Sequence, residues 1–442
     1  MRWRVDSEKE IALLTRDLWP RERGVAPIRV LQLGEGRFLR TFVDALFQEL
    51  GRKGPAFSVL MTNMRASGAA TIEGLQRQDG LYTVVFGDEE KIERTVIDCV
   101  MPVELKRQWS TLVEAIKTPD LTVIVTNGTE ASYRAPVEES WPVPPGDGLV
   151  SRLVLLLWER WQVIPESPLW VMPTELVTHN GARLRQLVIE ASARFQAAPA
   201  FQRWLQEKVR FVNSWVDRIV AGYPESARSW WDAWGYRDAY CSIAERYGRW
   251  WIERASWEPQ GPLPLDRLPE VCLVDDLAPY EDLKLFLLNG AHIGLAALGL
   301  LRGYATVAQA MSDPDIAQVV NNYWRCAKGV VPLPAQEVDA FIRHLPGRFQ
   351  NPYIAHQLRD IASNLAQKWR LRLQPVIWRI WEREQRIPQP LVTFTAAIGQ
   401  WLALNRESAN SASTPTLKQL LGLDSEEGPW LDALCAAVHL DE

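Results

Sequence analysis

The chain holds few of the residues that announce metal or disulfide chemistry: five cysteines and five histidines among 442 residues. Cys99, Cys241, Cys272, Cys326 and Cys435 are odd in number, scattered and without C-x-x-C spacing. They read as reduced thiols of a cytoplasmic protein, not as a disulfide framework. His179, His292, His344, His356 and His439 form no H-x-x-x-H pair, so spacing offers no support for a catalytic metal. A large excess of one charge sign is lacking too, with 49 Lys and Arg against 54 Asp and Glu. A net charge of −5 and a pI near 5.8 argue against nucleic acid as the main partner. No run reaches the roughly 20 apolar residues of a membrane span. The opening Met1-Arg-Trp-Arg-Val-Asp-Ser-Glu-Lys-Glu is charged, unlike a signal peptide. Repeats are absent, and the one polar low-complexity stretch, 405–416, reads as a loop. These absences leave a soluble protein with a small-molecule partner, working as a monomer or small homo-oligomer, with no nucleic acid and no membrane.

What is present is length and alternation. A chain of 442 residues exceeds one comfortable core and predicts two domains. The 21 tryptophans often sit with arginine or glutamate, as in Trp158-Glu-Arg-Trp161, which suits amphipathic helix faces. Strand patterns at 28–33, 57–62, 82–86, 121–126 and 169–173 alternate with helical patterns at 39–50, 70–77, 110–117 and 149–161. A Pro-rich loop at 136–145 precedes the last of these helices. That order predicts a parallel, doubly wound sheet. Helical patterns dominate 181–210, and a strand-like Val271-Cys-Leu-Val274 follows. Beyond Asp275 nearly every segment looks helical, notably 284–301, 307–311, 316–326, 338–343, 354–373 and 391–402. The expected fold is therefore α/β: a Rossmann-type domain over 1–274, then a mostly α-helical domain over 275–442.

Two local patterns carry chemistry. Ile28–Leu33 runs into Gly34-Glu-Gly36-Arg37-Phe38-Leu-Arg40, a strand, glycine turn and helix start. Gly34 suits a tight turn, Gly36 permits close approach of a pyrophosphate, and a helix N-terminus supplies amide donors. Leu39 stands where the third glycine of the usual fingerprint would be. Other strand ends are polar: Thr126-Asn127-Gly-Thr129-Glu130, Thr174-Glu175, and Asn63-Met64-Arg65. The second pattern is Lys284-Leu-Phe-Leu-Leu-Asn289-Gly-Ala-His292. At about 100° per residue, Asn289 lies about 140° and His292 about 80° around an α-helix from Lys284. Three polar groups in one sector of an apolar helix suit a desolvated, proton-transferring lysine with an amide and an imidazole to orient a substrate oxygen.

With these motifs assembled, the sequence resembles the mannitol dehydrogenase family of long-chain polyol dehydrogenases, and looks most like its tagaturonate (altronate) reductase subgroup. The resemblance includes the Gly34–Arg40 turn, Gln78-Asp79-Gly80-Leu-Tyr82-Thr83, and Asn127-Gly-Thr129-Glu130. It continues with Glu175-Leu-Val-Thr-His-Asn180-Gly181, Val216-Asp217-Arg218-Ile219, Lys284-x4-Asn289-Gly-Ala-His292, and Gly347-Arg348-Phe349-x-Asn351-Pro352-Tyr353 through His356. It implies NAD as coenzyme, held by Gly34, Gly36, Arg37, Phe38, Thr126, Asn127, Thr129 and Glu130. It also implies metal-independent hydride transfer, with Lys284 as acid/base and Asn289 and His292 assisting. Glu175, Asp217, Arg218, His356 and Lys368 are the expected substrate contacts, with Arg218, His356 and Lys368 the candidates for a sugar acid's carboxylate. The chain departs from polyol-active relatives twice. Leu176 follows Glu175 where they carry asparagine, and Asp360 stands eight residues before Lys368 where they carry arginine.

Several readings stay open at this level. Within the same chemistry the substrate is tagaturonate, fructuronate or a mannitol-type polyol. From other classes, a silent nucleotide-binding protein would not need the Lys284 relay, and a methyltransferase would need only the glycine turn. NAD sites usually carry an acid after the second strand. This chain has Asn63 and Arg65 there, with no acid before Glu73, and Arg65 suits a 2′-phosphate.

Overall fold

The computed structural model describes residues 11–20, 26–88, 91–223, 227–257, 261–405, 416–423 and 428–438. The charged opening, His439 and nearly all of the 405–416 stretch lie outside them. The chain divides into two compact units, Met1–Gly87 with Ile92–Leu277, and Asp88–Lys91 with Ala278–Glu442.

In the first unit the strands are β1 (Ile28–Leu33), β2 (Ser58–Thr62), β3 (Tyr82–Gly87), β4 (Ile92–Ile97), β5 (Val100–Val103), β6 (Val123–Thr126), β7 (Leu169–Pro173), β8 (Val209–Phe211), β9 (Ser214–Asp217), β10 (Ser242–Glu245), β11 (Arg249–Glu253) and β12 (Val271–Val274). Six of them form one parallel sheet in the order β5-β2-β1-β6-β7-β8. Counted within the sheet alone, this is the 3-2-1-4-5-6 order of a doubly wound dinucleotide fold, whose order reverses between β1 and β6. The central strands are buried along their length because helices cover both faces. Side chains alternate accordingly. Val30, Val59, Met61, Val123, Val125, Trp170 and Met172 enter one core, and Leu31, Leu33, Leu60, Ile124, Leu169 and Val171 the other.

The expected parallel sheet is present, and two small three-stranded sheets, β10-β3-β4 and β12-β11-β9, accompany it. Most of their strands escaped the sequence reading. Ile-Glu-Arg-Thr-Val-Ile and Arg-Trp-Trp-Ile-Glu lack a clean apolar alternation; the first pairs back on β3 as a hairpin, while the second takes β9, more than thirty residues away, as a partner. The tryptophans of Gly148–Val163 cluster as expected for a helix face, with Trp158 and Trp161 packed against Phe201.

The secondary-structure elements of the second unit's described residues are all helices. Its centre is a continuous helix, Ala278–Leu301, long and apolar enough by composition to cross a membrane, but 78% of its most apolar window is buried inside the protein. A helix apolar on all sides is a core helix when other helices surround it. Glycine makes that possible here. A Cβ on Gly294 would meet the Phe394 ring at 2.2 Å, and one on Gly290 would meet the Tyr323 hydroxyl at 2.4 Å. The single helix expected over 354–373 is broken. Leu358–Ile361 and Leu365–Arg372 are separate short helices, joined through Asn364 at φ 51°. Asp360 and Lys368 therefore do not share a helix face.

Candidate active site

The polar strand ends of the first unit assemble as the topology requires. A crevice of about 770 Å³ is lined by Gly34, Glu35 and Gly36 after β1, Met64 and Arg65 after β2, Asn127 and Thr129 after β6, and Glu175 after β7. It lies outside the carboxyl ends of the strands, at the reversal of strand order. The two glycines serve different ends. Gly34 sits at φ 140°, and a Cβ there would press on Leu39 at 2.9 Å and the Asn127 carbonyl at 3.2 Å. Gly36 is exposed, and a Cβ there would meet nothing within 4 Å. The protein's own packing does not demand a glycine at 36, whereas a pyrophosphate lying on the turn would. The helix that follows starts at Arg37 and runs through a π-helical segment, Leu39–Val43.

Glu175 is buried and braces the crevice floor. It accepts from the Thr126 hydroxyl at 2.9 Å, the Gly128 amide at 2.7 Å and the Tyr133 hydroxyl at 3.1 Å. Burial raises its carboxyl pKa against the pull of those donors. Asn127 donates to the Thr174 hydroxyl at 3.0 Å, which locks the ends of β6 and β7 together. Arg37, Phe38 and Glu130 fall outside the crevice lining. Arg37 lines a smaller neighbouring cavity, Phe38 packs on the core beside Phe42, and Glu130 opens an exposed turn. Thr126 is fully buried beneath the crevice.

The sequence reading missed Glu35. Its carboxylate crosses from the glycine turn to the end of β2 and accepts the Met64 amide at 3.2 Å. Gly68 makes the room, since a Cβ there would collide with the carboxylate. A carboxylate thus stands at the end of β2 although β2 itself is followed by none. Nothing in local spacing signalled it, because the acid comes from the other strand.

Asp217 ends β9 and Arg218 follows it. Arg218 donates to the carbonyls of Tyr247 at 3.0 Å, Thr41 at 3.1 Å and Arg246 at 3.2 Å, and its guanidinium lies over Phe42 and Phe86. Those contacts tie loops together inside the first unit. Asp217 is buried and pairs in register with Arg249.

In the second unit, Lys284 and Asn289 lie on a π-helical segment, Leu283–Gly290. This departs from the α-helix the sequence predicts. Bonding from i to i+5 lengthens the turn, so Asn289 falls about one turn from Lys284 and shares its face. Tyr323 and Trp324 hold this register from a neighbouring helix. The Tyr323 hydroxyl donates to the Phe286 carbonyl at 2.6 Å and the Trp324 indole N–H to the Leu287 carbonyl at 2.8 Å, both buried. Lys284 is 7% exposed and His292 5%. His292 stacks on Phe349 with ring centres 4.0 Å apart and meets His356 edge-on at 5.1 Å. Burial pushes the pKa of both imidazoles down, further for His292, and holds them neutral.

Several polar groups of this cluster have no partner among the described residues. They are the Asn289 carboxamide, His292 Nε2 and His356 Nδ1, the last two fully buried atoms. Lys368 is different. Its ammonium donates to the Ile361 carbonyl at 2.8 Å, the Ser363 hydroxyl at 3.2 Å and the Asp360 carbonyl at 3.4 Å. Burial, with Arg372 nearby, lowers its pKa to about 8. Arg372 itself, absent from the sequence-derived candidates, stands one turn after Lys368.

Two family models match successive parts of the chain. Residues 28–263 match the model described as the mannitol dehydrogenase Rossmann domain, and residues 276–427 match the mannitol dehydrogenase C-terminal domain. The chain is 33% identical over 389 residues to a protein of Klebsiella pneumoniae (strain 342) described as altronate oxidoreductase, covering 84% of this chain and 79% of that one. A protein of Escherichia coli O7:K1 (strain IAI39 / ExPEC) with the same description is 30% identical over 422 residues, covering 91% and 85%. Among solved structures, the Pseudomonas fluorescens mannitol 2-dehydrogenase ternary complex with NAD and D-mannitol superposes with a TM-score of 0.72 at 22% identity, covering 97% of this chain and 90% of that one. A D-sorbitol dehydrogenase in substrate-free form gives 0.76 at 20% identity, covering 94% and 92%. Those two share the fold.

Proposed function

We propose that this chain, which belongs to the mannitol dehydrogenase family, is an NAD-dependent oxidoreductase that interconverts D-tagaturonate and D-altronate. The observation that carries the chemistry is the second unit's cluster: a buried lysine on the same face as an unpartnered carboxamide, next to two neutral imidazoles with bare ring nitrogens. Buried polar atoms are normally satisfied, and a polyhydroxylated substrate offers donors and acceptors for each of these. The altronate oxidoreductase relatives direct the choice of sugar.

The residues of the first-unit crevice fit a nicotinamide coenzyme. Gly36 leaves the open approach a pyrophosphate needs, and Glu35 supplies at the end of β2 the acid that suits a ribose diol. That placement supports NAD over its 2′-phosphate, against the exposed Arg65. A bound coenzyme supplies or accepts the hydride. The chain supplies the rest. In reduction, protonated Lys284 donates from Nζ to the carbonyl oxygen while the Asn289 amide N–H steadies that oxygen. In oxidation, neutral Lys284 accepts the hydroxyl proton. Neutral His292 presents a lone pair at Nε2 to a substrate hydroxyl and so orients the ketone carbon. The five free thiols suit a reducing, cytoplasmic compartment.

The test is a substrate panel on the purified protein: tagaturonate, fructuronate and fructose, each with NADH and with NADPH. Tagaturonate with NADH should give the highest kcat/KM. A preference for fructuronate or fructose would move the assignment within the family, and no coenzyme-dependent turnover of any ketose would end it.

A further inference from the structure

The helix Leu365–Arg372 carries two cations four residues apart, Lys368 and Arg372, which places both on one face. Their surroundings differ. Lys368 spends its donors on carbonyl and hydroxyl oxygens of 360–363, the end of the preceding short helix. Those carbonyls need such partners, since the last turn of a helix leaves them unbonded. Lys368 is thus accounted for as the clasp between two helices.

Arg372 is not accounted for. Its side chain is partly buried, and among the described residues its guanidinium has neither a hydrogen bond nor an ion pair. Burial lowers its pKa to about 10, and no acid offsets that shift. Its charge also reaches both His292 and Lys368, depressing each, so it faces the same cluster. The backbone agrees: a Cβ on Gly290, next to Asn289, would come within 3.4 Å of the Arg372 carbonyl. An arginine stays charged at any physiological pH, and withdrawing it from water without a counterion is unfavourable. Among the described residues the second unit therefore holds a permanent cation beside its bare imidazole nitrogens, and no acid is paired with it.

We propose that Arg372 is the anchor for the substrate's carboxylate and the residue that selects a sugar acid over a neutral sugar. The inference rests on the reading of this cluster as a ketose-reducing site and names the group that sets its substrate class. A guanidinium presents paired N–H donors that match both oxygens of a carboxylate, which a lysine ammonium does not. Lys368 then contributes through the geometry of the turn and not through contact with the acid.

The test compares Arg372→Met, Arg372→Lys and Lys368→Met on tagaturonate and on fructose, alongside calorimetric binding of altronate. Arg372→Met should lower kcat/KM for the keto acid about ten- to a hundredfold, the range of a charge-assisted bond, with fructose changed less than about threefold. Arg372→Lys should recover part of the loss. Lys368→Met should cost thermal stability and affect both sugars alike. Loss of acid selectivity in Lys368→Met with selectivity retained in Arg372→Met would overturn the proposal. Should the wild type reduce no hexuronate, the proposed function fails by itself, and calorimetry still decides the anchor. Altronate binding lost in Arg372→Met supports it, and binding retained refutes it. If Arg372→Met does not fold, Arg372→Lys decides alone, since an unchanged acid-to-neutral ratio there is refuting.

Discussion

Replacing Tyr323 by Phe removes one oxygen and tests whether the π-helical register of 283–290 serves catalysis. The Tyr323 ring is fully buried, tilted against Phe394 with centres 5.0 Å apart, so the ring should stay when the hydroxyl goes. What is lost is the 2.6 Å bond to the Phe286 carbonyl. Leaving a buried carbonyl short of its donor costs about 1–3 kcal/mol. For a unit of this size that lowers the melting temperature by about 2–4 °C per kcal/mol, hence roughly 2–12 °C. The catalytic effect comes from register. If the segment relaxes toward an α-helix, Asn289 swings away from the Lys284 face, and displacement by about 1 Å costs as much as a hundredfold in rate. We expect kcat for the keto acid to fall about ten- to a hundredfold, with the KM for coenzyme unchanged because the crevice lies in the other unit. Steady-state kinetics and thermal unfolding read the two effects separately. The cycle with Asn289→Ala is decisive, since residues acting through one another are non-additive. Tyr323→Phe should add little once Asn289 is gone. A melting temperature that drops while kcat holds, or fully additive losses, would show that the π-helix is only packing.

Lys284→Ala should remove about 10²–10⁴-fold of turnover and leave NADH binding by fluorescence intact. A loss below tenfold would strip Lys284 of its acid/base role. Gly36→Val should fold normally, since a Cβ at 36 meets nothing within 4 Å, yet raise the KM for NADH far more than the KM for the sugar. Equal coenzyme affinity would return the turn to a purely structural role. His292 has a folded pKa well below its ordinary 6.5. Its contribution to stability is therefore fully present above pH 6.5 and is lost as pH falls from there toward the depressed folded value, because the unfolded chain takes up the proton first. Melting temperature should decline below pH 6.5, less steeply in His292→Gln. Identical slopes in the two proteins would exclude this imidazole as the titrating group.

Much of the nucleotide-type unit was legible because its signals are local. The largely apolar run at 28–33 and the continuous one at 169–173 report burial on both faces, and Gly34 reports a backbone turn that a side chain would obstruct. The sequence likewise marked Lys284, Asn289 and His292 as polar groups on one apolar helix, although only the π-helical register puts Asn289 on the Lys284 face. The strands β9, β10 and β11 were not legible; Arg-Trp-Trp-Ile-Glu, for one, is the middle strand of its sheet and owes that to partners on both sides, one of them, Ser214–Asp217, more than thirty residues away.

By itself the sequence determined which groups can do chemistry and which short segments can present them, because turns, periodicity and residue type act over a few positions. Tertiary structure alone decided which of those groups are free to act. The Glu35 carboxylate reaches β2 only because Gly68 stands opposite it. Asn289 joins Lys284 only because Tyr323 and Trp324 hold the Phe286 and Leu287 carbonyls. Lys368 and Arg372 look interchangeable in the sequence, yet one is spent on the turn at 360–363 and the other is left without a partner among the described residues. A hydrogen bond is made or missed according to what packs opposite, and in each case the deciding atoms come from another strand or helix.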